Sequence, residues 1–496
     1  MIKNNLTRGI SVGALAVFAS ACGHLPIAKP AFDAMKNERS GTPADWVVGE
    51  MTGDTAAVIA DYSAFNDPQL ISYVQEALKN NRNLRSAVET LRQSQLALQQ
   101  SRAQLFPTVN ASVSAGQSAN PTGIGGAPPT GSFELDGITD YTFRFTGNYN
   151  IDIMGDIDAS IRSSSAGFRS SQATFELTRR QIAAQTARAY FAVIEANLQY
   201  ELEKASYARA EQNYRIVETR FNAGSIDKGE YVNGQAQLKQ SEDGIYAADL
   251  SRRSAVRALE VILGRFPQNK IQITGALPDP PPAPPLGLPE LTIRSRPNVV
   301  AAELNMIQSF ADQRVQHMTP WPRLTANIAA GLNNITSDTT DDLFDFDSLA
   351  LSIGATLAQT IFDGGVIDAR VKASDSRVRQ ALINYGGTII TAYNEIVTAE
   401  DQFENLQSRI STSQATFEAR AEVRRLSELK YQEGSISLFE LIGQRDAADA
   451  AEGQLINLRL QRLNQWLTLH AALGGNPTAP VTINNPKNVA DGGKHD

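Results

Sequence analysis

The chain is short of cysteine, aromatic residues, histidine and long apolar runs, and each shortage narrows what it can be. Its 496 residues include one cysteine, Cys22, which excludes an intramolecular disulfide and a thiolate metal cage. Aromatic residues make up 7%, while Ala, Gln, Ser and Leu fill long stretches. That balance suits extended helices joined by narrow seams better than a thick globular core. Past the N-terminus no segment offers the ~20 consecutive apolar residues of a membrane-crossing helix, so any crossing must be made by strands. The net charge is −8, and no Arg-containing stretch is strongly one-signed. This argues against a nucleic-acid partner, because neutralising phosphates takes clustered cations. The histidines, His24, His317, His470 and His495, are dispersed. No metal site or catalytic triad emerges, and the chain reads as a non-enzyme without a cofactor. Asp338, Asp341, Asp342, Asp345 and Asp347 lack the glycine-pinned spacing of a calcium loop and read as a solvated loop.

What is present begins at the N-terminus. Lys3 and Arg8 form a basic region, Ile10 to Phe18 an apolar run, and Ala19-Ser20-Ala21 places small residues before Cys22. Residues 1–21 are therefore expected to be a signal peptide. The pattern resembles a bacterial lipobox with a covalent lipid on Cys22, followed by a lipidated segment 22–66; the alternative is an ordinary signal with a chance cysteine. Gly23, where an aspartate would favour inner-membrane retention, points to the outer membrane.

The two halves of the chain match in one register. Leu105-Phe106-Pro107 matches Pro320-Trp321-Pro322, and Asn83 matches Asn298, at a separation of 215; Phe221-Asn222-Ala223-Gly224-Ser225-Ile226 matches Tyr431-Gln432-Glu433-Gly434-Ser435-Ile436 at 210. A register held that long indicates duplication. Repeat 1 is placed at 67–277 and repeat 2 at 290–476. A proline-rich strap at 278–289 joins them, and 477–496 is a flexible tail.

Proline is missing between Pro129 and Pro267 and between Pro322 and Pro477, so helix can run unbroken there. Long helices are expected at 156–222 and 366–432, each about 100 Å long. Gly224 and Gly434 end them, and returning helices at 227–264 and 437–473 follow. Segments 82–105 and 296–319 supply the length that these lack, so each return path is read as two helices stacked end to end.

Strands are expected at about 107–116 and 141–152 in the first repeat and at about 322–333 and 348–358 in the second. From Tyr141 to Ile151 the odd positions are mainly apolar and the even ones polar. Period two puts these sets on opposite faces, the pattern of a transmembrane barrel. Arg144 falls on the polar face and is assigned to the barrel lumen; a pair with Asp152 or a neighbouring strand is the alternative. Four strands cannot close a barrel, and open edges are costly in lipid. Two copies would give eight strands around a filled interior, whereas three give twelve and a conduit. The expected fold is thus an α+β membrane protein, a trimeric twelve-stranded barrel continuing into a long helical barrel.

Several motifs carry a resemblance over nearly the whole mature chain: Phe65-Asn66-Asp67-Pro68, Leu105-Phe106-Pro107-Thr108, Arg296-Pro297-Asn298-Val299, Ile361-Phe362-Asp363-Gly364-Gly365 and the paired Gly-Ser-Ile turns. Together they resemble the outer-membrane efflux protein family of TolC-like channels. The resemblance implies a homotrimer in the outer membrane that reaches into the periplasm and works with a periplasmic adaptor and an inner-membrane pump to export small molecules. A duct for type I protein secretion is the alternative within this class, and a coiled-coil surface protein outside it. By the same resemblance Glu440 and Tyr431 belong to a periplasmic gate. A second acidic position of some relatives is Gly443 here, which departs from a double acidic ring. The turns at Gly224, Ser225, Gly434 and Ser435 resemble the places where adaptors dock.

Overall fold

The computed structural model describes residues 58–59, 61–119, 137–283, 289–336 and 349–475. Met1–Tyr62 form one unit and Ser63–Asp496 another; the elements below belong to the second. The signal and lipobox with Cys22, the loop residues 120–136 and 337–348, and the C-terminal tail lie outside the described residues.

Asp67 starts the helical body. Its carboxylate accepts the N–H groups of Gln69 (2.9 Å) and Leu70 (3.1 Å), and Pro68 occupies the first helical position, where no N–H is needed. Helix α1 follows, Pro68–Asn80. Residues 68–80 lie outside the helices expected from sequence, because this helix starts on the Asp67 cap rather than on a proline-free run. Asn81 then caps α2, Arg82–Ala103, through its Oδ1, which accepts from Asn83 N–H at 2.9 Å.

Two strands follow, β1 Thr108–Ala119 and β2 Gly137–Ile151. They extend further into the first hairpin loop than expected, since the small polar residues at 117–119 pair as backbone without showing alternation. Next come α3, Asp156–Asn222, and α4, Lys228–Ile262. After the strap, whose described part up to 283 has no helix or strand, the short α5 (Pro289–Arg294) and α6 (Pro297–Met318) lead into β3 (Arg323–Thr336) and β4 (Leu349–Ala358). Helices α7, Val366–Gln432, and α8, Leu438–Ala472, end the body. Lengths recur between the halves: 22 residues for α2 and α6, 67 for α3 and α7, 35 for α4 and α8.

Each returning helix abuts a second one end to end. Asn81 at the head of α2 donates its Nδ2–H to the Ile262 carbonyl at the end of α4, 2.8 Å away. Gly474, just past α8, lies against Arg296 at the head of α6. The buried layer of the helical body gathers around α3, where Phe191 is fully buried and stacks near Phe65 (5.3 Å) and Tyr190 (5.6 Å).

The strands form one antiparallel meander in the order β1-β2-β3-β4. Its register sorts the residues by chemistry. Val109, Gly147, Ile328 and Ile353 form one row, and Ala111, Phe145, Ala330 and Leu351 another. On the other side of the pleat, Thr108, Asn148, Asn327 and Gly354 form the row before the first of these, and Asn110, Thr146, Ala329 and Ser352 the row between the two. Side chains alternate in direction along a strand, so one face of the sheet is apolar and the other mainly polar.

Candidate functional site

Among the described residues, nothing packs over either face of this sheet. Val109 and Val113 are each 73% exposed and Ile353 is 77% exposed, yet they share the apolar face. On the polar face, cross-strand bonds run from Thr325 Oγ1 to Asn150 Oδ1 (3.0 Å) and from Asn327 Nδ2 to Thr356 Oγ1 (3.2 Å). Arg144 pairs in register with Ser112 and Gly331 on this face. A Cβ at Gly331 would stand 2.3 Å from the Phe143 carbonyl oxygen and 2.9 Å from Arg144 Cα, so only glycine fits opposite this arginine. Asp152, considered as a partner for Arg144, instead caps α3, accepting the N–H groups of Ile157 (3.3 Å) and Asp158 (2.9 Å). Strands β1 and β4 each have one strand neighbour among the described residues. Each therefore presents a free edge with on the order of ten unpaired backbone groups.

At the other end of the long helices two turns are built alike. Gly224 (φ 68°) and Gly434 (φ 74°) adopt the left-handed conformation that ends a helix cheaply only with glycine. The N–H of Ser225 then reaches the Arg220 carbonyl at 2.9 Å, and that of Ser435 the Lys430 carbonyl at 2.8 Å. Asp227 and Ser437 cap the helices that follow, accepting from Glu230 N–H (2.8 Å) and Glu440 N–H (3.1 Å). Under the turns, Val217, Leu438 and Leu441 form a buried cluster against which Ile226, Tyr231 and Tyr431 pack. The Arg220 guanidinium lies 5.9 Å from the Tyr431 ring centre, a cation–π contact that joins the ends of α3 and α7.

A polar layer lies one step further from the turns. Asp449 on α8 pairs with Arg209 of α3 and, at 3.5 Å, with Arg424 of α7. Arg445 on α8 donates to Glu428 of α7 (3.1 Å) and to Asn213 of α3 (3.3 Å). Gln237 on α4 donates to Asp446 at 3.0 Å. All four helices near the turns are thereby tied together. Sequence reasoning missed this layer. The charged residues of α8 are visible, but Arg209, Asn213 and Gln237 lie more than two hundred residues from them and nothing local points to those partners.

The described residues hold no cluster of His, Cys, Asp or Glu arranged for a metal, and no helix long and apolar enough to cross a membrane. The sequence profile of the outer membrane efflux proteins matches residues 73–265 and 288–475. The chain belongs to that family. It is an outer-membrane efflux protein and is similar over nearly its whole length to named relatives. It is 25% identical to the pyoverdine export outer membrane protein OpmQ of Pseudomonas aeruginosa, over 94% of this chain and 97% of that one. It is 24% identical to the outer membrane protein OprJ of the same organism, over 94% and 95%. Among solved structures, the Campylobacter jejuni CmeC outer membrane channel shares its fold with a TM-score of 0.75 at 23% identity, covering 84% of this chain and 87% of that one. OpmQ is named as an export protein, CmeC as a channel and OprJ as an outer membrane protein.

Within this efflux protein the residues singled out from sequence are placed as follows. Tyr431 is half-buried in the cluster beneath the turns, whereas Glu440 is exposed on the first turn of α8. Gly224, Ser225, Gly434 and Ser435 are exposed on the turns themselves. Arg144 sits on the sheet, at the opposite end of α3 and α7, so it shares no site with the others.

Proposed function

We propose that three copies of this chain close one twelve-stranded barrel in the outer membrane, each contributing its four-stranded sheet, and that their long helices continue it as a tunnel into the periplasm. The observation that carries this is the sheet with an uncovered apolar face, a polar face and two free edges. In hydrocarbon each unpaired backbone group costs several kcal/mol, so edges of this length persist there only when paired. Three sheets pair all of them and leave a water-filled lumen lined by the polar face. On this reading the chain is two tandem copies of one unit, and the conduit is passive, conducting small molecules that an inner-membrane pump and a periplasmic adaptor deliver. A lipid on Cys22 fastens the N-terminus to the same membrane. Arg144 faces the lumen.

The turns at the far end form the periplasmic tip, where Gly224, Ser225, Gly434 and Ser435 offer exposed backbone to the adaptor. Glu440 supplies one carboxylate per copy, and three around an axis make a negative ring that favours cations and resists closure by mutual repulsion. Tyr431, clasped by Arg220, holds the tip's two hairpins together.

The test is electrophysiological and genetic. The purified protein, reconstituted in planar bilayers, is expected to conduct as a heat-dissociable trimer, and a deletion strain to become more susceptible to toxic small molecules. Glu440→Ala is expected to change single-channel conductance or to weaken cation preference. Unchanged values of both would remove Glu440 from the constriction, and a bilayer-inserted monomer would overturn the shared barrel.

A further inference from the structure

Helices α7 and α8 leave a groove of about 640 Å³ between them, lined by Asp401, Asn405, Arg409, Gln461, Asn464 and Gln465 among others. Side-chain amides dominate its wall, and no aromatic ring lines it. Where it opens follows from the helix period. On α8, Trp466 donates its Nε1–H to the Pro282 carbonyl of the strap (3.3 Å) and packs on Phe65, 4.9 Å away between ring centres. Arg462, one turn earlier, lies 5.5 Å from the Phe403 ring centre of α7, so Phe403 shares the side that the strap covers. Asn464 is two residues from both Trp466 and Arg462, and Asp401 and Asn405 are each two residues from Phe403. Two residues turn about 200° round a helix. The groove therefore opens away from the strap. The strap lies outside the helical wall, because the other side must stay open to conduct, and so the groove faces the lumen.

Its polar groups are only partly used. Asp401 and Arg409 are exposed on one helix eight residues apart, and neither has an ion-pair partner among the described residues. Gln461 donates its Nε2–H to Asn457 (2.6 Å) and Gln465 donates its own to the Ala399 carbonyl (3.1 Å). Each glutamine is thus held in place with its Oε1 left to accept. The amide of Asn405 makes no hydrogen bond among the described residues.

We propose that this groove is a resting site on the duct for a short zwitterionic oligopeptide, its ammonium end at Asp401 and its carboxylate end at Arg409. The proposal rests on the conduit reading above and adds to it a class of cargo. Arg409 lies about 12 Å further along α7 than Asp401, and four residues of extended peptide span about 13 Å. Between the ends, peptide N–H groups meet the free oxygens of Gln461 and Gln465, and peptide carbonyls meet the Asn405 amide. Arginine suits the carboxylate end, since its guanidinium fork binds both oxygens at once. An oligosaccharide would suit the amides too, but it leaves both charges unanswered and has no ring to lie on. A second groove of about 450 Å³ shares Arg409 and continues toward the turns, lined by Thr412 and Gln454 among others, so a polar track leads to the site from the tip. The positions 210 back from Asp401 and Arg409 are Phe191, fully buried, and Gln199, bonded to the Gly453 carbonyl. The first half therefore has no such site, and each copy carries one.

Tetraalanine is the probe. With the purified protein in planar bilayers it is expected to block the current, and the same peptide acetylated at its N-terminus and amidated at its C-terminus should need about tenfold more. Asp401→Asn should weaken block by tetraalanine by a similar factor and leave block by the N-acetylated peptide unchanged. Arg409→Gln should spare only the C-amidated peptide. A channel that conducts but is not blocked, is blocked alike by free and capped peptides, or is blocked more strongly by maltotetraose overturns the site and leaves the conduit standing. Titration calorimetry of the full chain in detergent reads the same peptides without conduction. Binding there with the same dependence on Asp401 and Arg409, by a protein that does not conduct, upholds the site and defeats the conduit; absence of both defeats the two together.

Discussion

Helices α3 and α7 have the same length and corresponding places in the two halves, but 21 residues of α3 are buried and only seven of α7. The contrast is sharpest where the halves align. Ala183 and Ala187 on α3 are fully buried, and the positions 210 further on, Tyr393 and Val397, are 54% and 37% exposed. Small residues sit where the chain already packs on itself, and larger apolar ones where a single copy packs nothing. One helix is the centre of a protomer and the other its rim, and the same unit serves both places by changing side-chain size along one face.

The largest effect that can break this comparison lies in the α3 layer. Phe191→Ala removes a fully buried ring packed on Phe65 and Tyr190, and about 3–5 kcal/mol of stability should go with it. The loss should appear as a lower denaturant midpoint for the detergent-solubilised protein. Ile390→Ala on α7 should leave the fold of one chain within about 0.5 kcal/mol of the parent and yet lower the dissociation temperature of the trimer. Should Ile390→Ala leave that temperature alone, the open face of α7 is simply a solvated one, and the contrast between the helices carries no message about assembly.

A second contrast concerns Glu260 on α4 and the position 210 further on, His470 on α8. His470 stacks on Trp466 at 5.1 Å. Glu260 is 2% exposed and takes the N–H groups of Gln268 (2.7 Å), Asn269 (2.8 Å) and Lys270 (2.7 Å). Burial on its own would raise this carboxyl. The backbone N–H groups of Lys270, Asn269, Gln268 and Ile271 outweigh it and hold the group below its usual range. Its stabilising contribution is therefore complete above the unfolded glutamate value and is lost as pH falls through the lower folded value. Glu260→Gln replaces one accepting oxygen by a donor aimed at other donors and should cost about 2–4 kcal/mol. Hydrogen exchange should rise in residues 265–273 well before it rises in α8; a uniform rise would mean that the clamp is not local.

Much of this was readable in the residues. The gaps between prolines and the glycines at 224 and 434 bracket the helices 156–222 and 366–432, and α3 and α7 span those residues. Period two in Tyr141–Ile151 gave the two faces of the sheet because one face needs apolar side chains whichever way the strand is paired. Helix α1 was not seen, since its start depends on the cap made by Asp67 rather than on periodicity. The outer ends of β1 and β2 exceed the expected strands, because Gln117-Ser118-Ala119 carries no apolar-polar alternation and is held by its pairing with residues 137–139. At the tip, the sequence pointed to Tyr431 and the two turns but not to the arginine beneath one and the ion pairs behind both. Asp449 finds Arg209 across 240 residues only once four helices have come together. Nor could sequence tell which of two equal helices lies in the middle, as that is decided by what the neighbouring elements cover.

The smallest effect should come from Asp446, whose counterpart in the first half is Ala236. Crowding by the helices around it raises its carboxyl and the charge of Asp449 adds to this, while the bond from Gln237 and the charge of Arg209 work against it. A folded aspartate with a raised value takes up a proton where the unfolded one is still ionised. The folded tip therefore binds more protons in that window, and its stability rises as pH falls through it. The side chain keeps an open side to solvent, which screens the charge and holds the effect down. Asp446→Asn removes the titrating group but keeps an acceptor for Gln237. Hydrogen exchange at the first turns of α8 should slow in the parent as pH is lowered towards the ordinary aspartate range from above, after correction for intrinsic rates, and should lose that dependence in the variant. If parent and variant follow the same curve, Asp446 is not the group that takes up the proton, and the contrast with Ala236 carries no pH dependence.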